Sequence, residues 1–305
     1  MQIVTSGSAY IDIDAYAGCV AYAELLKMQG KDALAVSTAP LNESISKTVR
    51  SWKAPILFDY NSSKGDDFIL IDVSDPEYFD DIVNLNNVIR VIDHHPGYED
   101  YWQQKIGDYA SIEFIGSACT LVYEHWVSAG LINKISPLSA KLLVCGILDN
   151  TLNFGAKVTT KRDITAYSEL LKFANLKDDW MAQYFTECQE SVLQDVVSAI
   201  KNDTKILTFK SFNKQVCFGQ LVVWDGKHVL KTHQQVLQNV LASMNPNWFV
   251  NVVSVGEQKS YFYSNNSKVQ KWLSSLLGLE FNNSIAIAER LWLRKEVIKQ
   301  DINND

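Results

Sequence analysis

Five short apolar runs, at residues 2–5, 34–37, 56–60, 68–73 and 88–92, alternate with stretches at 16–28, 43–52 and 77–84 whose apolar residues recur at helical spacing. Runs of Val, Ile, Leu and Phe with no polar face suit strands covered on both sides, and such strands pair in parallel when helices separate them. The pattern predicts an α/β domain built on a parallel sheet with helices on both faces. From residue 117 to about residue 200 the period turns helical, at 120–129, 137–148, 160–174 and 180–200, the last stretch carrying the linker. Strands at 204–209, 216–224, 249–255 and 260–263, with helices at 230–243 and 269–277, then predict a smaller C-terminal α/β domain. The expected domains are residues 1–187 and 188–305, with a hinge near residues 185–193.

Composition removes several function classes. At 305 residues, 47% hydrophobic and 21% charged, the chain has the make-up of a folded two-domain protein and not of a disordered or repetitive one. Its longest apolar stretches, such as residues 142–148, fall far short of the roughly 18 to 20 residues that span a bilayer. The N-terminal segment has no basic run and carries aspartates where a secretion signal would be apolar, so a cytoplasmic location is expected. Five cysteines without a C-x-x-C pair read as free thiols, and neither a G-x-G-x-x-G nor a P-loop is present. Residues 1–187 carry 25 acidic against 15 basic side chains, whereas residues 188–305 carry 10 against 13. No basic stripe accompanies this split, which argues against a nucleic-acid partner held by bulk charge.

In a parallel sheet, ligands bind beyond the carboxyl ends of the strands. Those places are rich in acids here: Asp12 and Asp14 after the first run, Asp72 after the fourth, and Asp93-His94-His95 after the fifth. An Asp after one strand is usually a helix cap or turn former. Several acids and imidazoles brought to one sheet edge call for cations between them.

The segment VIDHHP, with its companions, resembles the DHH phosphoesterase superfamily, in the branch that holds family II inorganic pyrophosphatases, exopolyphosphatases and prune proteins. Gly7 to Asp14 resembles the family's G-H/N-x-x-x-D-x-D motif, Leu70-Ile71-Asp72 its second motif, and Asp93-His94-His95 its signature. Gly116 to Thr120 and Ile147 to Phe154 resemble its G-S/C-x-x-T and I-L-x-D-T-x-N-F/M segments. Asp203-Thr204-Lys205, the stretch from Phe218 to Asp225, and Arg294-Lys295-Glu296-Val297 resemble the short motifs of its C-terminal domain. No Gly-Gly pair is present, unlike the glycine run of the oligonucleotide-cleaving branches.

The resemblance implies a metal-dependent hydrolase of phosphoanhydride bonds, with its active site in the interdomain cleft and polyphosphate or pyrophosphate as the small substrate. It implies two divalent ions per chain, manganese or magnesium and also cobalt. Asp72 would bridge both ions, Asp12 would serve one, and Asp14 and His94 the other. His95, Lys205, Arg294 and Lys295 would hold phosphate oxygens. No nucleic acid or membrane partner is implied, and the chain would act as a monomer or homodimer. Two positions depart from the pattern. Ser8 stands where the family has His or Asn, and Asn150 stands at its last metal-ligating Asp, with Asp149 one residue early. The alternative reading is therefore a catalytically impaired phosphate-binding or regulatory member of the same family. Loss of an imidazole also leaves mainly oxygen donors, which favours magnesium relative to a nitrogen-rich site.

Overall fold

The computed structural model describes residues 1–303, which fall into two compact units that divide between Asp178 and Asp179. The first unit contains, in chain order, β1 (Gln2–Thr5), α1 (Ile13–Met28), β2 (Ala33–Val36), α2 (Lys47–Ser51), β3 (Ile56–Leu57), β4 (Asp67–Ile71), β5 (Val88–Asp93), α3 (Glu99–Ile106), β6 (Ala110–Ile112), α4 (Ala118–Ser128), α5 (Pro137–Asn150) and α6 (Lys161–Ala174). Its six strands pair in parallel throughout, in the order β3-β2-β1-β4-β5-β6. This is a doubly wound sheet whose order reverses between β1 and β4, where the crevice for a ligand opens.

Successive strand residues face opposite sides, so β4 feeds two layers. Phe68 and Leu70 join Val91 and Trp102 in a buried cluster on the α3 side. Ile71 instead packs towards α1, where a Cβ added to Gly18 would meet its Cγ2 at 2.5 Å. Helix α1 is buried on nearly every face, as befits a helix clamped between the sheet and other helices. Gly146 lets α5 approach it: a Cβ there would sit 2.5 Å from Cys119 Sγ and 3.2 Å from Asp14 Cα. Gly146→Ala should therefore cost about 1–3 kcal/mol through overpacking, measurable as a lower urea midpoint with an unchanged slope.

The helix expected over residues 77–84 is replaced by short 3-10 turns at Pro76–Tyr78 and Leu85–Asn87. Asp75 and Asn84 bond the backbone N–H groups of Glu77 and Asn86. The buried Asp80 carboxylate takes the Thr38 N–H at 2.7 Å and its hydroxyl at 2.8 Å. Such side-chain bonds offer the backbone an alternative to helix.

The second unit contains α7 (Trp180–Gln194), α8 (Val196–Asn202), β7 (Thr204–Phe209), β8 (Lys214–Val223), α9 (Gly226–Met244), β9 (Trp248–Ser254), β10 (Lys259–Tyr263), α10 (Ser267–Leu277), β11 (Phe281–Asn282), β12 (Ile285–Ala288) and α11 (Arg294–Asn303). Its sheet runs β11-β12-β10-β9-β8-β7, parallel only between β8 and β9. Cys217, Leu221, Val250 and Val252 pack on α8 and α9, while Phe218, Phe249 and Phe262 pack on α10 across the sheet. The stretch expected as one helix over 180–200 is broken at Asp195, whose carboxylate accepts the Ser198 N–H at 3.0 Å and so starts α8.

His125 of α4 lies edge-on to Tyr22, with Arg90 and Glu113 as the charges around it. Burial, reinforced by Arg90 and only partly opposed by Glu113, pushes its pKa down to about 4. Neutral His125 thus contributes stability that is present above its unfolded value near 6.5 and is lost as pH falls towards 4. The loss should reach up to about 3 kcal/mol, seen as a steeper drop in denaturation midpoint between pH 6.5 and 4 than in His125→Gln.

Candidate metal centre

Asp12, Asp14, Asp72, His94 and His95 all lie on the first unit, beyond the carboxyl ends of β1, β4 and β5. Asp12 ends the loop after β1 and is the N-cap of α1, its Oδ1 accepting the Ala15 N–H at 3.0 Å. Burial, and then the charge of Asp14, raise its pKa.

Asp72 follows β4 with φ 62°, a left-handed conformation that is uncommon for a residue other than glycine. Its N–H donates to Ile92 O at 2.8 Å, so the ladder to β5 holds this backbone in place. His94 Nε2 lies 3.2 Å from Asp72 Oδ1 without meeting hydrogen-bond geometry, and this buried oxygen has no donor among the described residues. Burial and the neighbouring Asp14 and Asp12 raise the Asp72 pKa to about 7.

The DHH segment owes its shape to Asp93. Its fully buried Oδ1 accepts the N–H groups of His94 at 2.7 Å and His95 at 3.2 Å, and also contacts His95 Nδ1 at 2.9 Å. His94 Nδ1 lies 3.0 Å from Ile115 O, an acceptor that sets Nδ1–H as the donor and leaves Nε2 towards Asp72 and, at 3.7 Å, Asp14 Oδ2. Burial works against the His94 imidazolium, but the Asp72 contact and the charges of Asp72 and Asp14 outweigh it and push the pKa up to about 10. The His95 side chain is 53% exposed, at the edge of a pocket of about 520 Å³ that also takes in Gly7, Asp12, Asp72, Asp75 and Tyr98.

These residues fit a divalent cation. Asp72, His94 and His95 each offer a ligand atom within 4.8 Å of the others. The unmatched Asp72 oxygen and a histidine oriented by a backbone carbonyl are the donor and outer-sphere arrangement that metal ligands require.

Asp14 has a different environment. It is fully buried in the first turn of α1, and its Oδ1 accepts Ser117 Oγ–H at 2.6 Å and the Cys119 N–H at 2.9 Å. Its Oδ2 accepts the Ala118 N–H at 2.9 Å and the Asn150 side-chain amide. The carboxylate thus occupies the N-terminus of α4, where N–H groups and the helix dipole favour negative charge. Asn150 supplies a donor where the family pattern has an acid. Asp149 is half-buried at the end of α5. The Ser8 hydroxyl is 3.5 Å from Tyr78 O.

Sequence reasoning assigned no role to Ser117, Asp93 or Asp163. Asp163 is fully buried and holds Gly116 N–H at 3.1 Å, Thr120 Oγ1–H at 2.7 Å and Thr160 N–H at 2.7 Å, tying the start of α4 to α6. Asp93 and Ser117 lie inside the DHH signature and the Gly116 to Thr120 motif, and a T-x-x-D pattern at residues 160–163 carries the capping-box signal of Asp163.

In the second unit three short motifs converge. The Asp203 carbonyl accepts the Gln220 N–H at 3.0 Å and Arg294 Nη2–H at 2.5 Å, Arg294 Nη2 also reaches the Asp203 carboxylate, and Gln220 Oε1 takes the Arg294 N–H at 2.8 Å. Arg294 is 12% exposed and lies 5.3 Å from the Phe218 ring centre. It is therefore largely committed within its own unit. Lys205 and Lys295 are exposed and form no ion pair among the described residues.

A doubly wound sheet with acids and a DHH turn at its switch point defines a class, and comparison with known proteins agrees. Residues 2–147 match the DHH family, N-terminal domain, and the chain carries a DHH-family domain. Along 81% of its length the chain is 24% identical to a protein of Exiguobacterium sp. described as a probable manganese-dependent inorganic pyrophosphatase, covering 80% of that protein. Its fold is similar to that of a Methanococcus jannaschii protein described as a putative family II inorganic pyrophosphatase, with TM-score 0.65, 18% identity, and 99% and 100% of the two chains covered. It is also similar to an exopolyphosphatase-related protein from Bacteroides fragilis, with TM-score 0.53, 18% identity, and 99% and 90% covered. Among the described residues no helix is long and apolar enough to cross a membrane.

Proposed function

We propose that this chain is a metal-dependent phosphohydrolase that cleaves phosphoanhydride bonds in polyphosphate or pyrophosphate. The observation that carries the reading is the Asp72, His94 and His95 cluster beside Asp12 at the switch point of the sheet. Asp12, Asp72 and His94 would hold the divalent ion, with Asp14 as the further ligand the family pattern assigns. A bound divalent ion supplies a water nucleophile acidified towards neutral pH and neutralises charge on phosphoryl oxygens.

The chain's own groups do the rest. Asp93 orients His95 so that its outer nitrogen faces the pocket, where it can donate to a phosphate oxygen. Ile115 holds His94 in one tautomer. Lys205 and Lys295 are the second unit's candidates for phosphate oxygens, as mobile point charges, while Arg294 holds the Asp203 carbonyl with its guanidinium and the Gln220 side chain with its backbone N–H. The similarity to manganese-dependent pyrophosphatases supports this substrate class.

The test is phosphate release from pyrophosphate, tripolyphosphate, long-chain polyphosphate and a short oligonucleotide, each with magnesium, manganese or cobalt. We expect release from a phosphoanhydride and none from the oligonucleotide. Ser8 leads us to expect magnesium to serve at least comparably to manganese. A second reading, a phosphate-binding or regulatory protein without turnover, is favoured by the Asn150 amide on Asp14. It gains if phosphate compounds bind but none is cleaved with any metal.

A further inference from the structure

At the amino ends of the strands, away from the metal centre, the first unit has a pocket of about 760 Å³ between β1, β4, β5, α1 and α4. Its charged lining residues are Lys31 and Arg90, and its lining contains neither Asp nor Glu. That is notable in a half of the chain with 25 acids against 15 bases. Arg90 is half-buried on β5 and has no ion pair among the described residues, only the Tyr109 ring at 5.0 Å from its guanidinium carbon. A ring contact contributes about 1 kcal/mol, which is less than withdrawing a cation from water costs. The Gln2 Oε1 atom in the same pocket is buried and unpaired, an acceptor awaiting a donor. Leu25, Leu26 and Ile106 supply apolar wall.

We propose that this pocket binds a small organic oxyanion, a carboxylate or phosphonate-like group on a planar apolar body that also carries an N–H or O–H donor. The oxyanion pairs with the Arg90 fork, whose planar geometry matches two oxygens, and Lys31 at the rim adds attraction. The donor satisfies Gln2 Oε1, and the body fills the space against α1. His125, kept neutral by burial and Arg90, contributes one donor and one acceptor without competing for the anion.

The experiment is calorimetric titration of the full chain with 4-aminobenzoate, 4-aminophenylphosphonate and the neutral 4-aminobenzamide. At least one of the two acids should bind with a dissociation constant below about 1 mM, and the amide at least about tenfold more weakly. Arg90→Gln should weaken the acid at least about tenfold. Lys31→Ala, a change at an exposed rim that the fold tolerates, should weaken it by about twofold or more. Asp72→Asn, which alters the metal centre, should leave it within about twofold. Failure of both acids to bind at about 5 mM overturns the proposal. So does binding that is unchanged in both Arg90→Gln and Lys31→Ala, and so does binding that disappears in Asp72→Asn, which would place the acid at the metal centre.

Discussion

Asn150→Asp is expected to tighten divalent-metal binding and raise phosphate release at least about tenfold, equivalent to about 1.4 kcal/mol of barrier. The Asn150 amide donates to Asp14 Oδ2, so it stabilises that carboxylate in the way a cation would and adds no charge to the site. An Asp at the same place reverses both effects, because it removes a donor from Asp14 and adds a negative ligand beside it. In the metal-free protein the same change should destabilise the fold, since a half-buried carboxylate would then face the buried Asp14 without a cation. Isothermal titration with manganese and magnesium, together with thermal denaturation with and without metal, reads both effects. Adding Ser8→His should strengthen the gain for manganese more than for magnesium, because an imidazole suits the softer ion. Equal metal affinity in wild type and Asn150→Asp would show that Asn150 does not limit the site. Variants that bind metal tightly yet release no phosphate from any phosphoanhydride would favour the binding-protein reading.

Asp72→Asn is expected to act in the opposite sense on stability and function. Asp72 combines a left-handed backbone, burial, an oxygen without a donor, and two nearby acids. In the absence of metal each of these is a cost to the folded state. The neutral amide removes the charge repulsion, so the metal-free variant should be more stable by about 1–2 kcal/mol. Metal should no longer raise its melting temperature by mass action. Phosphate release should fall about a thousandfold, since a metal-bound transition state draws several kcal/mol from its ligand set. A variant that is less stable without metal and still stabilised by it would show that Asp72 is a structural residue.

Much of the first unit could be read from the chain because a buried parallel strand leaves a local mark. Residues 68–71 and 91–92 are unbroken apolar stretches within β4 and β5, buried throughout, since cover on two faces leaves no room for alternation. The carboxylates just past them were equally visible, because a doubly wound fold presents strand ends on one edge whatever the intervening helices do. Elements made by short-range side-chain bonding were harder. The segment at 77–84 has helical spacing, yet Asp75, Asp80 and Asn84 turn its backbone to other partners. Strands β11 and β12, of two and four residues, are too short for any period to register.

By itself, then, the sequence determined the alternation that makes a doubly wound sheet, the DHH turn, and the identity of the acids and imidazoles at its edge. The tertiary structure decided what each of those groups does. Asp12 and Asp14 are two residues apart and look equivalent, but Asp12 caps α1 beside the pocket, while Asp14 is enclosed by donors from Ser117, Ala118, Cys119 and Asn150. Those donors lie 103 to 136 residues further along the chain. Likewise Arg294 resembles a phosphate fork in sequence, but Asp203, 91 residues before it, takes its guanidinium. A charge's role depends on which partners surround it in a medium of low dielectric, and those partners are brought together by the packing of α1, α4 and α5, by the pairing of β7 with β8, and by the docking of the Arg294 backbone on Gln220 of β8.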